Sequence, residues 1–177
     1  MADGSGLNSP TACEVVRLWP QAEPQAFRDG MARLASGVAI VACETPAGPR
    51  GLLVTSLTGL STEPPRLLFC VRKAAASHAA LIAAEAVSVS LLNAADGEEA
   101  ERFCTPERAA ERFDPARWSF EPAAPPELRS ALAAFVGPVR CRIDAGTHTI
   151  IILDVSSARV DEADPLVYFA RRFETLA

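Results

Sequence analysis

The residues best suited to chemistry sit in GLLVTSLTGLS, residues 51–61, where Thr55, Ser56, Thr58 and Ser61 interrupt an apolar run. A buried hydroxyl without a partner costs roughly 1–3 kcal/mol, so these side chains must meet either a ligand or nearby backbone. Read as one strand, the stretch places Ser56 and Thr58 on one face and Thr55 and Ser61 on the other, with Gly59 free to form a bulge. The hydroxyls crowd toward the C-terminal end, as they would where a strand end lines a polar ligand. Local bonding to the backbone of the following STEPP turn is the competing reading.

A second cluster lies in VRKAAASHAAL, residues 71–81. Arg72 and Lys73 lead through three alanines to Ser77 at an expected helix start, an arrangement that suits an anionic phosphate: backbone N–H groups, a hydroxyl and a nearby cation. A solvated basic turn before a capped helix fits the same residues equally well. His148 follows a glycine turn and opens an apolar strand, where it points into a site or closes a hairpin. His78 is the only other histidine, which excludes a three-histidine metal site, and no spacing supports a mixed Cys/His site. G-x-S-x-G, G-x-G-x-x-G after a strand and G-x-x-x-x-G-K-[ST] are all missing, which argues against an α/β-hydrolase, a dinucleotide-binding Rossmann unit and a phosphate loop.

The elements that must position these residues are mostly strands. After a first amphipathic helix in PQAFRDGMARLAS, with Phe27, Met31 and Leu34 at helical spacing, the pattern turns to β-rich runs at 38–44, 52–57, 66–71, 86–92, 139–143, 148–160 and 166–169. Turn signals in TPAGPRG, STEPPR and DAGT predict a mainly antiparallel barrel or sandwich. Helices are expected at 77–85, with Ser77 as N-cap, and at 96–103, while ELRSALAAF, residues 127–135, fits helix or strand.

Composition bounds the class. A chain of 177 residues suits one domain. A net charge of −5 without a basic block argues against nucleic acid or an anionic membrane. Cys13, Cys43, Cys70, Cys104 and Cys141 stand singly, as reduced thiols of a cytoplasmic protein do. The expected organisation is a flexible N-terminal extension over residues 1–23 and one domain over 24–177, with neither a membrane span nor a signal peptide.

In order and spacing, FRDGMARLASGVAIVA, PRGLLVTSLTGLSTEPPRLLFCV, the Ser77–His78 pair, AVSVSLL, ERF, VRCRI, GTHTIIILDV and PLVYF resemble the flavin reductase family over about residues 25–173. The resemblance implies an FMN-binding split β-barrel, antiparallel and Greek-key-like, with a few peripheral helices. It implies hydride transfer from NADH or NADPH to FMN or FAD, in a homodimer that supplies reduced flavin to a partner monooxygenase. Thr55, Ser56 and Thr58 match positions at the isoalloxazine edge, and Ser61 one nearer the ribityl phosphate. Ser77 with Arg72 or Lys73 matches the phosphate site, His148 the histidine near flavin and nicotinamide, and Tyr168 an aromatic position near the end of the chain. The chain departs from the family at Leu53, Gly59, Ala74, Ala75, Ala76, Arg171 and Phe173. Those departures motivate the alternative of a barrel that keeps the fold without redox work.

Overall fold

The computed structural model describes residues 11–12 and 20–176. In chain order the elements are β1 (Thr11–Ala12), α1 (Pro24–Met31), β2 (Ser36–Gly37), β3 (Ala39–Cys43), β4 (Arg50–Val54), β5 (Thr58–Thr62), β6 (Pro65–Arg72), α2 (His78–Ala83) and β7 (Ala86–Leu91). They continue as α3 (Gly97–Cys104), β8 (Trp118–Ser119), β9 (Glu127–Leu128), β10 (Ala133–Ala145), β11 (His148–Asp154), β12 (Ser157–Val160), β13 (Leu166–Phe169) and β14 (Arg172–Thr175). Short 3₁₀ turns at Ala94–Asp96 and Pro106–Glu111 flank α3.

The main sheet runs β4-β3-β7-β10-β11-β6-β5. Its two end strands, β4 and β5, are consecutive in the chain and separated only by Thr55–Leu57. Three residues cannot cross a flat sheet of this width at about 4.8 Å per strand, so the sheet curls until its edges nearly meet. GLLVTSLTGLS is therefore not one strand but two, with the barrel seam between them. The expected irregularity at Gly59 is present as a register shift between Gly59 and Ser61 against β6.

Burial follows the sequence pattern. β11 alternates, with Thr149, Ile151 and Leu153 buried and their neighbours half-exposed. β3 is apolar throughout because both its faces are covered. Ala39, Val41 and Cys43 face the barrel interior with Phe69, Val71, Leu81 and Ile151. Ile40 and Ala42 face an outer core with Trp118, Phe103 and Leu166. The DAGT hairpin forms as expected, with Gly146 at φ +73° between β10 and β11.

Other expectations need correction. ELRSALAAF is neither one helix nor one strand: Glu127–Leu128 is β9, a turn follows, and Ala133 opens β10. The run 148–160 breaks at Val155–Ser156, whose N–H groups donate to the carbonyls of Pro65 and Val136. Thr11–Ala12 pairs in parallel with Ile143–Asp144; most of the expected N-terminal extension, including Cys13 and VVRLW, lies outside the described residues. Helix α1 forms but ends at Met31, short of Leu34, and the expected apolar stripe is not buried: Phe27, Met31 and Leu34 are 63%, 48% and 56% exposed. No helix among the described residues is long and apolar enough to cross a membrane.

Candidate functional site

Ser56 sits at the seam. At Cys70 β6 is paired with β11 on one edge, but its other edge runs beyond the end of β5, and the Ser56 hydroxyl fills that gap. Its Oγ accepts from the Cys70 N–H at 3.0 Å and lies 3.4 Å from the Cys70 carbonyl oxygen. One hydroxyl thus stands in for a ladder residue. Thr55 and Ser56 open onto a groove of about 390 Å³ whose other walls are Phe27, Arg28 and Met31 of α1, Leu34, Ser36, Tyr168 and Arg171. The Tyr168 ring packs edge-on to Phe173 at 5.6 Å, which fixes one wall. The lining is mainly apolar, with hydroxyls on one side and two guanidinium groups.

The basic cluster lies farther along β6. Arg72 ends that strand directly opposite His148, and the Lys73 ammonium bonds both oxygens of Asp144 at 2.8 Å. Lys73 and the Gly146 N–H together hold the Asp144 carboxyl below the usual carboxylate range. The His148 Nδ1 lies 2.9 Å from the Thr147 hydroxyl. Cys70, beside Ser56, is three residues from Lys73, roughly 10 Å at strand rise. The seam hydroxyls and the basic cluster thus lie along one strand, separated by roughly 10 Å of backbone.

Ser77 and Ser61 differ from what their spacing predicts. Ser77 precedes α2 but its side chain makes no capping bond. It is buried, and its hydroxyl donates to the Gly51 carbonyl at 2.7 Å, so that proton is already committed. Ser61 donates to the Pro64 carbonyl at 2.5 Å, the local turn bond. It pairs with Arg66, and Arg66 to Arg72 spans roughly 20 Å of strand. Ser61 and the Arg72–Lys73 cluster therefore cannot hold the same phosphate within one chain. Thr58 lies exposed on β5 opposite Leu68.

Sequence reasoning did not place α1, Ser36 or Arg28 at the site. The one available signal was an amphipathic helix with no assigned partner for its apolar face. Leu53, which departs from the family pattern, packs against the outer core and touches no part of the groove.

Comparison with known proteins agrees with this geometry. The family described as flavin reductase like domain matches residues 31–177. FMN reductase (NADH) RutF of Stutzerimonas stutzeri is 34% identical over 152 residues, covering 85% of this chain and 87% of that protein. A crystal structure of a flavin reductase from Haemophilus somnus superposes with a TM-score of 0.83 at 28% identity, covering 88% of this chain and all of that one. BorF, the flavin reductase component of a bacterial two-component tryptophan halogenase, gives a TM-score of 0.77 at 28% identity over 87% of this chain and 98% of its own. With a family match over most of its length and a barrel seam that positions a hydroxyl-lined groove, this chain belongs to the flavin reductase like family.

Proposed function

We propose that the protein is an NADH-dependent flavin reductase that uses FMN and supplies the reduced flavin to a partner oxygenase. The observation that carries this reading is the seam groove. Thr55 and Ser56 offer hydroxyls beside an apolar, Tyr168-walled space of nucleotide-ring size, and Arg72 and Lys73 lie about one ribityl length away along β6. The donor set fits FMN: neutral hydroxyls and apolar side chains for the ring, cations for the phosphate.

Bound FMN would supply the acceptor for the nicotinamide hydride. The chain's own residues contribute binding and orientation. Thr55 and Ser56 bond the ring edge, and Tyr168 closes one wall against water. Thr58, one turn of the seam away, reaches the same edge or remains solvated according to where the ring settles. Arg72 offers a guanidinium to the phosphate. Lys73 offers its ammonium after exchanging Asp144, an exposed pair of small net value. His148, cross-strand from Arg72, falls at the phosphate end of this arrangement. Because cofactors carry the hydride, no acid–base pair within the chain is required.

BorF, a component of a two-component system, supports the reading that reduced flavin leaves for a second enzyme. A groove that holds the ring through neutral groups suits release. The exposed stripe of α1 supports a homodimer that covers it. The decisive measurement is oxidation of NADH by the purified protein with added FMN, followed by loss of reduced-nicotinamide absorbance. We expect turnover that depends on FMN, and an FMN spectrum perturbed on binding. Absence of both removes this function.

A further inference from the structure

The turn joining β13 to β14 consists of Ala170 and Arg171, both in the left-handed region at φ 51° and 66°, between the paired residues Phe169 and Arg172. Two-residue turns of this hand suit Asn and Gly, because a Cβ at positive φ crowds the following carbonyl. An arginine held there carries backbone strain, and the turn sets Arg171 at the rim of the seam groove. Arg171 Nη2 meets Asp29 Oδ1 of α1 at 2.6 Å, so the ion pair joins two walls of the groove. Both partners are more than half exposed, at 56% and 58%, and the pair can be exchanged at small cost. Arg28, also lining the groove, bonds only the Gln25 side chain and has no carboxylate partner among the described residues.

Two guanidinium groups thus line the apolar groove, and only Arg171 is paired with a carboxylate, Asp29. Arg72 and Lys73, proposed for the flavin phosphate, are not in its lining. The anion that suits Arg171 and Arg28 is therefore a second one. We propose that Arg171 is a specificity-determining residue that favours dinucleotides: it leaves Asp29 to pair with the diphosphate of a dinucleotide entering the groove, with Arg28 beside it. The inference rests on the flavin reductase reading of the same groove. The diphosphate belongs either to the nicotinamide dinucleotide or to FAD, and the two sources are separable.

The test is calorimetric titration of wild type, Arg171→Gly and Asp29→Asn with FMN, FAD and NADH, read as binding without turnover. Arg171→Gly should lose about tenfold more affinity for a dinucleotide than for FMN, the loss expected for one charge-assisted bond. Loss confined to NADH assigns the diphosphate to the nicotinamide side, and loss confined to FAD assigns it to the flavin. Asp29→Asn should tighten the same dinucleotide severalfold, more so at low salt. Unchanged affinities in Arg171→Gly, or an equal loss for FMN, would overturn the proposal. Missing hydride transfer in wild type would instead sink the reading of function, while the affinity ratio still decides the role of Arg171.

Discussion

Ser56 carries two loads at once, and its replacement separates them. Ser56→Ala leaves the Cys70 N–H on β6 without its acceptor, which should lower stability by about 1 kcal/mol in denaturant unfolding. It should also raise the FMN dissociation constant severalfold. Thr55→Val keeps shape and removes only the hydroxyl, so it should weaken FMN with little change in stability. If Thr55→Val binds FMN as tightly as wild type in a fluorescence titration, Thr55 is not a ring contact. The thiols give a second residue-level contrast. Burial, followed by the neighbouring Glu44, pushes the Cys43 thiol up to about 11. The fold therefore favours the protonated form. That contribution is complete below the ordinary thiol pKa near 8.5 and is lost as pH rises through about 11. Alkylation at mildly alkaline pH should modify exposed Cys104 and spare Cys43; equal labelling in native protein would contradict the burial.

Between elements, the best-defined polar contact is a buried carboxylate that ties α3 to β8. Glu99 is 3% exposed and accepts from the Trp118 indole at 2.9 Å and from Arg102 and Arg117 at 2.8 Å each. Removing the acid leaves an indole N–H and two guanidinium groups short of an acceptor beside the outer core, so Glu99→Ala should cost about 3 kcal/mol. Thermal unfolding reads this directly, and FMN affinity of the folded fraction should not change, because the network lies outside the groove. Nothing in the local pattern around Glu99 announces it, since Trp118 and Arg117 reach it from a distant segment. The same division explains what could be read from the chain. The alternation of β11 and the apolar β3 are local and legible. The break at Thr55–Leu57 is dictated by closure of β4 against β5 across the whole sheet, so a single continuous strand was the natural but incorrect expectation. Ser77 has the position of a cap, yet its acceptor, Gly51, is 26 residues away. The end of ELRSALAAF is strand because β7 and β12 pair with β10 from Ala133 onward, and its start because Glu127–Leu128 pairs with β8; propensity alone encodes neither.

For the molecule as a whole, the helix that walls the groove buries none of its residues among the described residues. Phe27, Met31 and Leu34 remain largely exposed, and isolated eight-residue helices are marginal in water. A second copy of the chain packed on this face would stabilise α1 and complete the groove wall, which is the physical content of the proposed homodimer. Burying Phe27 and Met31 is worth roughly 1.5–3 kcal/mol per side chain. Twofold symmetry counts each change twice, so Phe27→Glu with Met31→Glu should weaken self-association at least a hundredfold. Sedimentation velocity should show wild type as a dimer at micromolar concentration and the double variant as a monomer with an unchanged far-ultraviolet spectrum. FMN affinity should fall alongside, because Phe27 and Met31 line the groove. A wild type that sediments as a monomer would remove the dimer from the account. A double variant that remains dimeric would place the interface elsewhere and leave the stripe of α1 to the ligand alone.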